Sequence, residues 1–410
     1  MDVLNPRIDR LAPYPMQRLS ALIAGVSPPA GLAPILLSVG EPRHPLPRIV
    51  SDALAAASTA VDRYPAFWAG PELRAAIADW LAMRFAPARL DPAAEILPVN
   101  GAREGLFSFF QAVADPTRAG SRVICPNPGY AVYDGVASLC GLEPYRLATG
   151  PDDRDGQAYD RVPREVWRQT QLVFVCSPDN PRGTTLSQKG WERLFALADE
   201  YGFVIVADEC YCEIYVDDAE RPVGSLEAAA RCGRGHERLA AFFSLSKRSN
   251  APGLRSGFIA GDAKLLARVE KFRSYNGGGM NPAVQAASIA AWRDEAHVVE
   301  NRRLYREKYD AVIPRLQRTL KLERPQAGFF LWADIRETGL SDEAFTRALY
   351  AERNVVVLPG SYLTHSSEGH DPGAGHVRIA LVASLEECLE GADRIASFCF
   401  SQASRRRVEA

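Results

Sequence analysis

The stretch FFSLSKRSNAPGLRSGF, Phe242 to Phe258, sets Ser244, Ser246, Lys247 and Arg255 directly behind an apolar run. A strand that is apolar on successive residues has to be covered on both faces. The same pattern recurs in RVICPNPGY (122–130), LVFVCSPDNP (172–181) and FVIVADECY (203–211). Between these runs lie segments with apolar residues at helical spacing, such as GWERLFALADEYG (190–202). Buried strands alternating with amphipathic helices predict a doubly wound α/β domain with a mostly parallel sheet, placed at residues 47–295. Next, AHVVENRRLYREKYDAVIPRLQRTL (296–320) reads as a long helix, and GFFLWADI, NVVVLPGSYL and HVRIALV read as strands among helices. A smaller α+β domain is therefore expected over 296–410. Residues 1–46 are Pro-rich and lack a core of their own. They are expected to form an arm along another surface, such as a partner subunit's, and to contribute part of the small domain.

At 410 residues the chain can support two cores. A formal charge of -2, with no charged tail, argues against nucleic acid or a polybasic membrane surface as partner. The eight cysteines are scattered without a CxxC pair, and the six histidines show no ligand spacing, so no metal is expected. The thiols read as free cysteines of a reducing compartment. No run approaches the roughly 18 apolar residues of a membrane span, and the amino terminus has no apolar signal core; a cytoplasmic location is expected. Lysine is scarce, with six (Lys189, Lys247, Lys264, Lys271, Lys308, Lys321) among 48 basic residues. Chemistry that needs a primary amine has few candidates.

In open α/β sheets ligands bind at the carboxyl ends of the strands. Asn180 follows one apolar run, Asp208 ends another and Lys247 follows a third. An amine desolvated there beside a cation such as Arg255 has a lowered pKa and attacks aldehydes. Pyridoxal phosphate asks for such an amine and for three further things: an acid at its ring nitrogen, donors to its phenolic oxygen and a cluster for its phosphate. Asp208 meets the first of these, Asn180 and Tyr211 the second, and Ser244, Ser246 and Arg255 the third. Taken singly, each has a plainer reading, as when Asp208 alone suits a helix N-cap.

As a set, these residues resemble the class I/II, fold-type-I aminotransferases that use pyridoxal phosphate, and the resemblance spans nearly the whole chain. SPDNPRG is similar to that family's SPxNPxG loop, VADECY to its D-x-x-Y, and SLSKRSNAPGLRSGF to its S-x-S-K with a following phosphate arginine. The resemblance implies further roles. Gly40 of VGEP would lie over the substrate. Tyr64 of YPAFWAGPELRAAIADWL would reach the phosphate of a neighbouring subunit, making the protein a homodimer. Ala102 and Arg103 of NGAREGL would cradle the phosphate at a helix N-terminus. Tyr130 of PNPGYAVY would stack on the ring, and Arg378 of HVRIALV would bind the substrate α-carboxylate, with Asn180 beside it. Asp179, Arg182 and the Gly277–Gly279 run depart from the pattern.

Within the family, LNPRIDRLAPYPMQRLSALIAG, VGEPRHPLP and NPAVQAASIAAW look most like proteobacterial succinyldiaminopimelate transaminases. That implies exchange of an amino group between glutamate or 2-oxoglutarate and N-succinyl-LL-2,6-diaminopimelate in lysine biosynthesis. An aspartate, alanine or aromatic aminotransferase is the alternative. The succinylated substrate carries distal negative charge, for which Arg43 is the first candidate and Arg18 a weaker one. His44, just after the glycine loop, is the histidine to watch. A rival chemistry comes from Ser244-Leu-Ser-Lys247, which satisfies the S-x-x-K of serine acyl-enzymes, but the companion K-T-G and S-D-N segments do not occur.

Overall fold

The computed structural model describes residues 4–62, 64–366 and 369–409. Its strands, in chain order, are β1 (Ile35–Leu36), β2 (Ile96–Val99), β3 (Arg122–Asn127), β4 (Glu143–Ala148), β5 (Thr170–Cys176), β6 (Val204–Asp208), β7 (Leu239–Ser244), β8 (Gly257–Gly261), β9 (Phe330–Asp334), β10 (Val355–Val356), β11 (Leu358–Pro359) and β12 (His376–Ala380). One sheet of seven strands has the order β2-β8-β7-β6-β5-β3-β4. Neighbours from β7 to β4 are parallel, while β8 runs antiparallel to both β7 and β2. The apolar runs of the sequence are thus strands of a mostly parallel α/β sheet. Phe242 and Phe243, adjacent on β7, enter opposite cores, as a period of two demands. Phe242 joins Phe109, Phe174 and Ile259 on one face; Phe243 joins Trp80, Trp191 and Phe258 on the other.

A second body packs β9, β12 and β11 as an antiparallel sheet beside the β1-β10 pair. Its core holds Tyr309, Leu331, Phe345, Ile379 and Phe398. The run NVVVLPGSYL yields two short strands that serve different sheets. The helix expected over 296–320 spans Ala296–Leu316. Pro314, inside its last turn, lacks the N–H that would bond Asp310, and the helix stops two residues later.

The amino-terminal arm lies on its own chain. Ile35 pairs with Val355, and helix Pro15–Ile23 packs Leu19 among Val356, Leu358, Tyr362 and Leu363. No helix among the described residues is long and apolar enough to cross a membrane.

Candidate active site

The carboxyl ends of β2, β5, β6 and β7 open onto one cavity of about 570 Å³, which the second body closes from the other side. Lys247 enters it from a single helical turn, Leu245–Arg248, whose N-cap Ser244 accepts from the Ser246 N–H at 3.1 Å. The Lys247 Nζ donates to the Gly40 carbonyl at 2.5 Å. Burial lowers its pKa to about 8, and the Arg378 charge pushes the same way against Cys210, Glu41 and Asp208. Gly40 has no room for a side chain, since a Cβ there would meet the Phe330 ring at 2.6 Å.

Asp208, at the end of β6, is buried. Its Oδ2 accepts from the Tyr133 hydroxyl at 2.7 Å and its Oδ1 from the Cys210 N–H at 3.2 Å. Tyr211 is also buried, and its hydroxyl is pushed up by desolvation, with the Arg378 charge opposing. Asn180 and Arg378 meet across the two bodies: Arg378 Nη1 donates to Asn180 Oδ1 at 2.9 Å and Nη2 to the Ser38 carbonyl at 2.8 Å. The Arg378 Nε is buried without a partner, and no carboxylate among the described residues pairs with this guanidinium. Desolvation lowers its pKa to about 10.

At the opposite end, Gly101 caps helix Ala102–Val113 with φ +88°, leaving the first N–H groups of the helix facing the cavity. Arg255, itself at φ 54°, lays its guanidinium against Gly101, in space a Cβ would take. Ser244 Oγ donates to Ser246 Oγ at 3.0 Å and lies 3.3 Å from the Ser256 carbonyl. The Ser–Lys pairing of an acyl-enzyme is not made, because Lys247 bonds Gly40 instead. Arg103 points from the helix into the cavity, and its Nε donates to the Tyr130 hydroxyl at 2.8 Å while its Nη2 reaches the Tyr14 hydroxyl at 3.2 Å. It has no carboxylate partner among the described residues.

Of the residues expected at the substrate, Arg43 lies outside this lining, and Tyr64, expected to reach the site of a neighbouring subunit, faces outward. Tyr64 is fully exposed, at 103 %. Arg43 is exposed, and its charge faces Cys388. Arg18 is likewise elsewhere, stacked 3.8 Å over Tyr362. Conversely, the lining includes Tyr14, Met16, Glu41 and Tyr133, which sequence reasoning did not single out. Tyr133 was discoverable, lying one helical turn after Tyr130; the others carry no local signal. Asp179 and Arg182 pair with each other at 2.9 Å, and Arg182 also reaches Thr149 Oγ1 at 2.8 Å, which stiffens the loop that presents Asn180.

The sequence profile "Aminotransferase class I and II" matches residues 33–395. The chain is 32 % identical to the LL-diaminopimelate aminotransferase of Syntrophobacter fumaroxidans, over 96 % of this chain and 98 % of the relative. Among solved structures, an aminotransferase from Neisseria meningitidis superposes with TM-score 0.92 at 45 % identity, covering 96 % of this chain and all of that one (100 %). A probable N-succinyldiaminopimelate aminotransferase from Thermus thermophilus superposes with TM-score 0.79 at 29 % identity, covering 90 % of this chain and 95 % of that one.

The family depends on pyridoxal phosphate, and the residues present fit that group. A helix N-terminus and the Arg255 guanidinium meet at Gly101, a buried acid stands opposite, and a half-buried amine of lowered pKa lies between. The profile match over most of the chain and the superposition on solved aminotransferases agree with this constellation, and the chain belongs to the class I and II aminotransferases.

Proposed function

We propose that the protein exchanges an amino group between glutamate or 2-oxoglutarate and N-succinyl-LL-2,6-diaminopimelate, in the diaminopimelate route to lysine. The observation that carries this reading is a pair of guanidiniums without carboxylate partners in one cavity, Arg378 deep and Arg103 at the helix N-terminus. A guanidinium held only by neutral groups favours an anionic ligand, most strongly where it is buried, as at Arg378, and less so at the exposed Arg103. Two of them suit a substrate with carboxylates at both ends. Arg103 thus takes the distal role first considered for Arg43. The relatives named for diaminopimelate substrates support the same class.

Arg255, Ser244, Ser246 and the N–H groups of Ala102 and Arg103 would hold the cofactor phosphate, Asp208 its ring nitrogen, and Asn180 and Tyr211 its phenolic oxygen, with Tyr130 on the ring face. Pyridoxal phosphate, when bound, supplies an aldehyde for the amino group and an electron-accepting ring. Tyr133 and the Cys210 N–H keep Asp208 an oriented acceptor that holds a proton at the ring nitrogen. Arg378 binds the substrate α-carboxylate through its fork and so turns the Cα proton toward Lys247. Lys247, its amine near neutrality, takes that proton from Cα and carries it within the site. Tyr14, Pro15 and Met16 of the arm contribute to the lining of the cavity.

A homodimer is part of this reading, because Tyr64, Trp68 and Tyr275 are exposed aromatics that a second copy would cover. Mass in solution tests it, and a fully active monomer would reject it.

One observation favours a second substrate. Glu41 lines the cavity, and a distal ammonium, which succinylation abolishes, would pair with it. Steady-state rates with succinylated and free LL-diaminopimelate, on the wild type and Arg103→Gln, separate the readings. The proposal expects a higher kcat/KM for the succinylated compound and a loss of roughly a hundred-fold in Arg103→Gln. A preference for the free amino acid would favour the second reading, and an indifferent Arg103→Gln would remove the distal assignment of Arg103.

A further inference from the structure

Beyond the cavity, one polar cluster joins the second body to Lys247. His44 Nδ1 lies 2.8 Å from Asn301 Oδ1, and Lys308 Nζ lies 2.6 Å from His44 Nε2. The Asn301 amide nitrogen donates to the carbonyls of Lys247 and Arg248, at 3.2 and 3.3 Å. Its oxygen therefore accepts, from Asn250 at 3.0 Å as well as from His44. An accepting Asn301 oxygen requires a proton on His44 Nδ1, and a donating Lys308 requires none on Nε2. With Lys308 donating, the heavy-atom contacts match a ring that carries its proton on Nδ1 and accepts at Nε2.

This ring ends the segment whose beginning touches the reacting amine. Gly40 accepts from Lys247 Nζ, and four residues later His44 is fixed to Asn301, which in turn fixes the Lys247 carbonyl. A second contact path is aromatic. The His44 ring lies 4.5 Å from that of Tyr305, Tyr305 stacks at 5.3 Å on Phe329, and Phe329 meets Tyr211 edge-on at 5.4 Å. Lys308 completes the tie to the second body by donating to the Leu381 carbonyl at 3.2 Å.

We propose that His44 is a positioning residue, a neutral Nδ1–H imidazole that pins the Gly40–His44 segment between Asn301 and Lys308 and thereby sets where the Lys247 amine stands over the cavity. The proposal rests on Lys247 being the reacting amine. Burial lowers the pKa of the ring and the Lys308 charge adds to this, against the Asn301 hydrogen bond and the Glu300 charge. The other titratable groups around the cluster are Arg43 and Glu41 on the loop, Tyr305 and Glu307 on the helix, and Cys388, Glu386 and Glu387, which face Lys308 from the final helix.

The test compares His44→Asn, whose amide can still donate to Asn301, with His44→Phe, which cannot. In holoenzyme, His44→Phe is expected to lower kcat about ten-fold or more, with KM for glutamate changed less than about two-fold; His44→Asn is expected to recover most of the loss. In cofactor-free protein, amides 38–44 are expected to exchange deuterium about ten-fold faster in His44→Phe than in wild type. Nitrogen NMR of histidine-labelled wild type is expected to show the Nδ1–H tautomer for His44, and this reading stands even if His44→Phe does not fold. An Nε2–H tautomer, an equal loss in both variants, or unchanged kcat and exchange in His44→Phe would overturn the proposal. Borohydride trapping of the cofactor on the Lys247 peptide, read by mass, checks the Lys247 assignment separately, because it does not depend on His44.

Discussion

Tyr133 donates its buried hydroxyl to Asp208 Oδ2 at 2.7 Å, and the Cys210 N–H serves the other carboxylate oxygen. Two fixed donors aim one acid, and neither donor is itself a charged group. Removing a hydrogen bond to a charged group costs about 1.5–3 kcal/mol. Tyr133→Phe is therefore expected to fold, to lower kcat about ten-fold or more, and to weaken pyridoxal phosphate binding. A Tyr133→Phe enzyme with full kcat would show that the Cys210 amide alone orients Asp208.

Arg378 is held by Asn180 and Ser38 while its Nε stays unpartnered. A lysine keeps the charge but not the two-pronged geometry that a carboxylate matches. Arg378→Lys is expected to lower kcat/KM for glutamate roughly a hundred-fold, in line with the about 2–5 kcal/mol lost when one side of a desolvated charge pair is removed. Cofactor content, read from the visible spectrum, should not change. Loss of the cofactor together with activity would move Arg378 from substrate binding to the architecture of the site.

The strand ends could be read from the sequence because each apolar run is local and ends in a residue that polar chemistry must explain; Asp208 and Lys247 follow directly from that. Arg378, inside HVRIALV, was legible for the same reason. The arm was not, since β1 has two residues, too few to show a period, and its partner Val355 lies at the far end of the chain. The distal charge was assigned to Arg43, and Arg103 only to the phosphate, for a related cause. Closeness in sequence to Gly40 favoured Arg43, but the direction of a side chain on a loop depends on where the loop is tied. Here the loop is tied through His44 to Asn301 and Arg43 is exposed, whereas Arg103, at a helix N-terminus, lines the cavity.

Lys247 offers a prediction in pH. Its pKa is lowered from 10.5 to about 8 by burial, so the neutral, nucleophilic amine predominates above about 8. Capture of pyridoxal phosphate by cofactor-free protein should accelerate about ten-fold per pH unit below that point and level off above it. An ordinary lysine would keep gaining toward 10.5. Arg378→Met removes a cation that lowers the Lys247 pKa, and should shift the break to higher pH. A rate still rising steeply beyond pH 9, about one unit past the lowered value, would mean that the amine is solvated in the cofactor-free enzyme.

Gly101 tests the phosphate end. Its φ of +88° and its contact with Arg255 both exclude a side chain. Backbone at φ 88°, ψ 153° is open essentially to glycine alone, so an alanine there costs of order 1–3 kcal/mol, and its Cβ would also displace the Arg255 guanidinium. The sheet core does not pass through this position, so Gly101→Ala should fold with a modestly lowered Tm. Its Kd for pyridoxal phosphate, measured by titration of the visible band, should rise about ten-fold or more, because one displacement disturbs both the arginine and the helix N–H groups. Arg255→Lys should reproduce the affinity loss without the loss in Tm, since it leaves the backbone alone. If Gly101→Ala loses stability but keeps its affinity, the phosphate is held by Ser244, Ser246 and the helix N-terminus, and Arg255 serves only to close the turn.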